Sequence, residues 1–139
     1  MNAFENATQF FHACESSQGW GACEEFVVAD AVFSGQADSL SRVKTVKAYC
    51  KWMEFEGKGP LVGAKYELHN SVYDESKRTA IFFATYIASH VGEGGPVPPT
   101  HKETNSEFVY ILNMSPEGKI EKMCKVWNDV WSSKELGWI

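Results

Sequence analysis

The chain has 139 residues and a formal net charge of -5, with 13 Lys and Arg set against 18 Asp and Glu. The basic residues are scattered, which leaves no electrostatic footprint for a phosphate backbone and excludes nucleic acid as the expected partner. No stretch approaches about 18 uninterrupted apolar residues, and the N-terminus lacks a basic region followed by an apolar run, so a soluble cytoplasmic protein with no membrane partner is expected.

Hydrophobic residues make up 44% and aromatics 14%, with five Trp and nine Phe, enough large flat side chains to line a cavity as well as fill a core. At this length one domain, 1–139, buries about two thirds of its unfolded surface. Phe4, Ala7, Phe11 and Cys14 recur at helical spacing, and Asn2 with Glu5 forms a capping-box-like start. Trp20, Cys23, Phe26 and Val27 predict a second, short helix running into an extended piece, ADAVFSG, closed by Gly35. Ser39 or Ser41 is expected to cap a longer helix with Val43, Val46, Cys50 and Met53 on one stripe, stopped by Gly57, Gly59 and Pro60.

After Pro60 the period changes from 3.6 to 2. Val62, Ala64, Tyr66, Leu68 and Val72 alternate with polar residues and predict a strand with one buried face. YDESKRT reads as a hairpin loop, and residues 79 to 91 are apolar on both faces, as a strand covered on both sides would be. The loop GEGGPVPPTHK follows, then a strand near Ser106 to Met114, a SPEG turn and a final strand from Lys119 to about Trp131. Helices first and an antiparallel meander after them predict an α+β fold with the helices on one face of a curved sheet.

The four cysteines, Cys14, Cys23, Cys50 and Cys124, are widely spaced, with no CxxC and no second Cys/His pair to complete a zinc pattern. The expectation is reduced thiols acting as small hydrophobes and no metal.

EEFVVADAVFSG after two helices, a strand ending SHVGE with PPT beyond it, and the closing GKIEKMCKVWNDVWSSKELGW together resemble the SnoaL-like branch of the nuclear-transport-factor-2-like superfamily, over nearly the whole chain. The resemblance implies a cone-shaped α+β barrel (a cystatin-like roll), in which N-terminal helices pack on a strongly curved antiparallel sheet around a mostly apolar pocket. It also implies polyketide cyclase or isomerase relatives, and homodimers through the sheet. His90 falls where many such proteins carry a strand-end histidine, either to relay a proton or simply to be satisfied by backbone or water. Pro96 to Lys102 resembles the family's PPTGK rim, with His101 in place of the usual glycine. The cyclases' acidic residue falls on or beside Phe108, with Glu107 on the opposite face unless a bulge shifts the register. On the closing strand, Asn128 or Asp129 takes the polar place after Trp127.

Other chemistries are tested by absence. The ketosteroid isomerase base would align with Gly35, which has no side chain. An Asp, Arg, Asp epoxide hydrolase site has only Arg42 and Arg78 to draw on. The expected lining is Trp20, Phe33, Tyr49, Trp52, Met53, Tyr86, Phe108, Tyr110 and Trp127 with Asn128, and the expected catalytic groups are His90 with Glu107 or Asp129. Two functions remain open: cofactor-free acid–base chemistry on an apolar cyclic metabolite, or a non-catalytic homodimeric binding or scaffolding module.

Overall fold

A computed structural model describes residues 2–139. Helix α1 spans Ala3–Glu15; Asn2 Oδ1 accepts from Glu5 N at 2.8 Å while Asn2 Nδ2 donates to Glu5 Oε1, so the reciprocal cap predicted from the sequence is formed. The four-residue helix α2, Trp20–Cys23, passes through a 3-10 turn into strand β1, Val27–Gly35. Helix α3, Val46–Lys58, is capped by Thr45, whose hydroxyl accepts from Ala48 N, and not by Ser39 or Ser41, which lie in and just after a 3-10 turn over Asp38–Leu40. Thr45 sits immediately before the apolar stripe, so its hydroxyl reaches the first free amides of that helix.

Strands β2 (Lys65–Asp74), β3 (Thr79–Ser89), β4 (Glu103–Met114) and β5 (Ile120–Trp127) form the antiparallel meander. The extended piece β1 adds to its edge parallel to β5, which makes the sheet mixed, in the order β1-β5-β4-β3-β2. The last strand stops at Trp127, short of the predicted Trp131. Asn128 Oδ1 accepts from Trp131 N and starts helix α4, Asp129–Glu135.

Two bulges decide which side chains face inward. His69 is skipped in the β2–β3 pairing, which exchanges the faces, so Tyr73 packs on the core and Val72 is 54% exposed instead of sharing the buried face of Leu68. Glu121 is skipped between β4 and β5, so Ile120 and Met123 both point inward. The inner face carries Phe82, Phe108, Tyr110 and Leu112 and packs against Phe10 and Phe11 of α1. The Phe11 ring stacks on Phe82 at 4.9 Å and meets Tyr110 edge-on at the same distance. The predicted double cover of β3 is not present: Phe83, on the outer face, is 37% exposed.

Candidate active site

Between α3, the inner face of the sheet and α4 lies a cavity of about 270 Å³. Its walls are mostly apolar, from Trp52, Met53, Leu61, Phe108, Trp127, Leu136 and Trp138, and two carboxyl side chains and one ammonium line it: Glu15, Glu56 and Lys125. Helix α4 closes one side because it is tied to β4, with Glu135 Oε1 accepting from Thr104 Oγ1 and Asn105 N, both at 2.9 Å.

Lys125 is 4% exposed. The alternation of β5 turns it inward with Trp127, and its Nζ lies 4.5 Å from the Trp127 ring centroid and within 5.6 Å of the centroids of Tyr49, Trp52 and Phe108. Four ring faces around one ammonium offset part of the cost of burying it.

From Lys125 runs a directed chain of hydrogen bonds. Nζ donates to Tyr49 Oη at 2.8 Å, the Tyr49 and Tyr110 hydroxyls are 3.4 Å apart, and Tyr110 donates to Glu15 Oε1 at 2.5 Å. Since the Tyr110 proton is committed to Glu15, Tyr49 must donate to Tyr110 and accept from Lys125. Glu15, the last residue of α1, is 2% exposed, and its Oε2 has no partner among the described residues. Both ends of the chain therefore border one cavity.

Burial pushes the Glu15 carboxyl above its ordinary range, against the pull of the Lys125 charge and the Tyr110 hydroxyl. Burial pulls Lys125 below its ordinary range, against the Glu15 charge. Both shifts bring the ion pair and its neutral, proton-transferred form closer in energy. Burial also raises Tyr49 and Tyr110, which keeps the two relays as neutral hydroxyls. Glu56 is pushed up to about 6 by burial, and its Oε2 and the Tyr86 hydroxyl are buried without partners among the described residues.

The residues expected from the sequence are divided by the fold. Trp52, Met53, Tyr86, Phe108 and Trp127 line the cavity. Tyr49 and Tyr110 lie in the hydrogen-bond chain beside it, and Phe33 stacks on Tyr49 at 4.7 Å from the far side. Trp20 packs on the edge of the core, and Asn128 is spent as the α4 cap.

The structure does not bring His90, Glu107 and Asp129 together. Glu107 is exposed on the outer face of β4, since the bulge lies beyond Asn113 and leaves its register untouched. Asp129 Oδ2 accepts from Ser39 N at 2.9 Å. His90 is fully buried; its Nδ1 accepts from Trp138 Nε1 at 2.9 Å and from Thr100 N at 3.3 Å, so the ring sits behind the Trp138 wall of the cavity. Gly95 crosses the other ring nitrogen so closely that a Cβ there would lie 2.7 Å from Nε2. The loop after His90 contributes Pro96 to the cavity, and His101 holds φ of 59°, the left-handed conformation natural to the glycine it replaces.

Sequence reasoning missed Glu15 and Lys125. The signal for Lys125 was present, because the alternation that turns Trp127 inward also turns the residue two before it. Glu15 gave no such signal: a polar residue at a helix end ordinarily faces water.

No family model matches the sequence, and no curated protein matches it. Solved structures match its shape. AclR from Streptomyces galilaeus, described as a candidate hydroxylase, superposes with a TM-score of 0.76 at 17% identity, over 99% of this chain and 85% of that one. A candidate SnoaL-like polyketide cyclase from Jannaschia sp. CCS1 gives 0.78 at 12% identity, over 96% and 90%. IdmH from Streptomyces antibioticus, a candidate polyketide cyclase, gives 0.78 at 13% identity, over 99% of both chains. Among the described residues the five-stranded sheet is curled and not closed and carries four helices, the α+β cone fold also seen in the structure described as a candidate SnoaL-like polyketide cyclase.

Proposed function

We propose that the protein is a cofactor-free enzyme of the cyclase or isomerase type, acting by proton transfer on an apolar cyclic metabolite that carries a carbonyl group. The observation that carries this reading is the chain Lys125–Tyr49–Tyr110–Glu15, whose two ends border one mostly apolar cavity. The names borne by the structural neighbours, candidate polyketide cyclases among them, agree with it.

In this reading Glu15 Oε2 removes a proton from the carbon next to the carbonyl, and Lys125 donates to the oxygen on which negative charge develops. The enolate then closes a ring or is reprotonated elsewhere. The two tyrosines return the proton from Glu15 to Lys125, each hydroxyl turning to donate the other way. Trp52, Phe108 and Trp127 hold the flat substrate and exclude water.

The test is deuterium exchange. A panel of cyclic β-dicarbonyl compounds is incubated with protein in D₂O and followed by NMR at the acidic carbon. Exchange faster than buffer in the wild type and absent in Glu15→Gln and Lys125→Met supports the reading; equal exchange in all three sinks it.

A homodimeric, cytoplasmic binding module is the second reading, favoured by the outer face of the sheet. Two cross-strand rows, Phe83–Val109–Val126 and Val72–Ile81–Ile111, place six apolar side chains together, and Val72, Phe83 and Val126 are 37 to 54% exposed.

A further inference from the structure

Three of the four cysteines, which show no metal-binding spacing along the chain, meet in space. Cys14 is the penultimate residue of α1, Cys23 the last residue of α2, and Cys50 lies in the second turn of α3. Their sulfurs all lie within 4.8 Å of one another, with Cys14 Sγ 3.8 Å from Cys50 Sγ, and the residues are at most 1% exposed. All four cysteines are free thiols.

We propose that Cys14, Cys23 and Cys50 form a three-sulfur site for a soft metal ion, Cu(I), which ties α1, α2 and α3 together. The proposal does not rest on the reaction proposed for the cavity, although Cys14 directly precedes Glu15 and its charge acts on Lys125, Tyr49 and Tyr110. Three sulfurs at about 2.3 Å from a central ion stand about 4.0 Å apart when the ion lies in their plane. The observed triangle therefore needs to contract by less than about 1 Å, within the reach of χ1 adjustments.

The number of ligands and their softness choose the ion. A structural zinc site is almost always four-coordinate, and among the described residues no fourth Cys, His, Asp or Glu joins the cluster. Thiolates suit Cu(I), zinc and iron–sulfur clusters; the last two are ordinarily held by four ligands, which leaves Cu(I) for a set of three. Each thiol that ligates releases its proton to solvent, and the ion's charge cancels that of one resulting thiolate. Cys23 is carried on the shortest helix, four residues between Gly19 and a 3-10 turn. Such a short segment opens locally at low cost, which gives the ion an entry path.

The experiment uses the full chain, reduced and anaerobic, titrated with Cu(I) supplied as its acetonitrile complex in competition with a chromogenic Cu(I) chelator. The expected result is one ion per chain in the wild type and in Cys124→Ser, with at least a tenfold loss of affinity in Cys14→Ser, Cys23→Ser and Cys50→Ser. A raised melting temperature in the copper-loaded wild type accompanies it. Binding that survives those three substitutions, or that depends on Cys124, overturns the proposal. Since a core serine can disturb folding, X-ray absorption on the loaded wild type supplies a reading free of variants. A shell of three sulfurs supports the site, and two sulfurs, or any nitrogen or oxygen ligand, overturns it.

Discussion

Lys125 and Trp127, two residues apart on β5, point to the same side of the sheet, and the lysine Nζ lies 4.5 Å from the centroid of the tryptophan ring. This relationship sets the first prediction. Lys125→Met keeps the length and apolar contacts of the stem but takes the donor from Tyr49 and the counter-charge from Glu15, so stability should fall, by about 3–5 kcal/mol where Glu15 is ionised. Proton-exchange activity should fall at least 100-fold, the order expected for loss of a general acid. Thermal melts and exchange rates on the same preparation separate the two effects; a variant that melts early and still exchanges would remove Lys125 from the site.

Glu15→Gln should be nearly isostructural, because the amide oxygen still accepts from Tyr110. Stability should fall by about 1–3 kcal/mol, since the amide brings a buried donor group to a position without partners and Lys125 loses its counter-charge. Exchange should be lost as completely as in Lys125→Met, and the double variant should lose little more, because groups acting as one unit are not additive. Fully additive losses would show that the two residues act separately.

His90→Ala removes the acceptor for Trp138 Nε1 and Thr100 N and leaves a void beneath Trp138. A loss of about 2–4 kcal/mol is expected from two hydrogen bonds and a cavity in a packed site. Denaturant unfolding measures that loss, and tryptophan fluorescence should report a freed indole. A stable variant with an unshifted emission spectrum would contradict this role.

The pH dependence of stability should carry a mark of Glu56. Its carboxyl is pushed up to about 6 from an ordinary value of 4.5, so the folded state binds this proton more tightly than the unfolded state. The penalty for ionised Glu56 is absent below 4.5, grows between 4.5 and 6, and is complete above 6. Glu56→Gln should therefore stabilise the protein at pH 7.5, by about 1 kcal/mol once solvent screening of this partly exposed group is allowed for, and leave it unchanged at pH 4. Melting curves at the two pH values test the sign, and equal shifts at both would exclude the cause given.

If the outer sheet face is a dimer interface, Phe83→Glu with Val126→Glu should give a monomer that keeps its fold, because both side chains point away from the core. Sedimentation velocity compares the species. A wild type that is monomeric at tens of micromolar would remove the interface.

The sequence by itself determined the order of elements from α1 to β5, though not α4, and with it the Asn2 cap, the inward parity of Phe108, Tyr110 and Trp127, and a resemblance whose fold the structure shows. These are local properties: capping, periods of 3.6 and 2, and turn chemistry are written in neighbouring residues. The positive φ of His101 belongs with them, since the glycine of the resembling motif already marked that position. Tertiary structure decided the rest. The bulges at His69 and Glu121 reset which faces are buried, and one skipped residue is invisible to a pattern of alternation. Glu15 became a cavity carboxylate because α1 ends against Tyr110, 95 residues away in the chain. Cys14, Cys23 and Cys50 became neighbours only because three helices converge at one point. Convergence of distant residues follows from packing, and packing is a property of the whole chain.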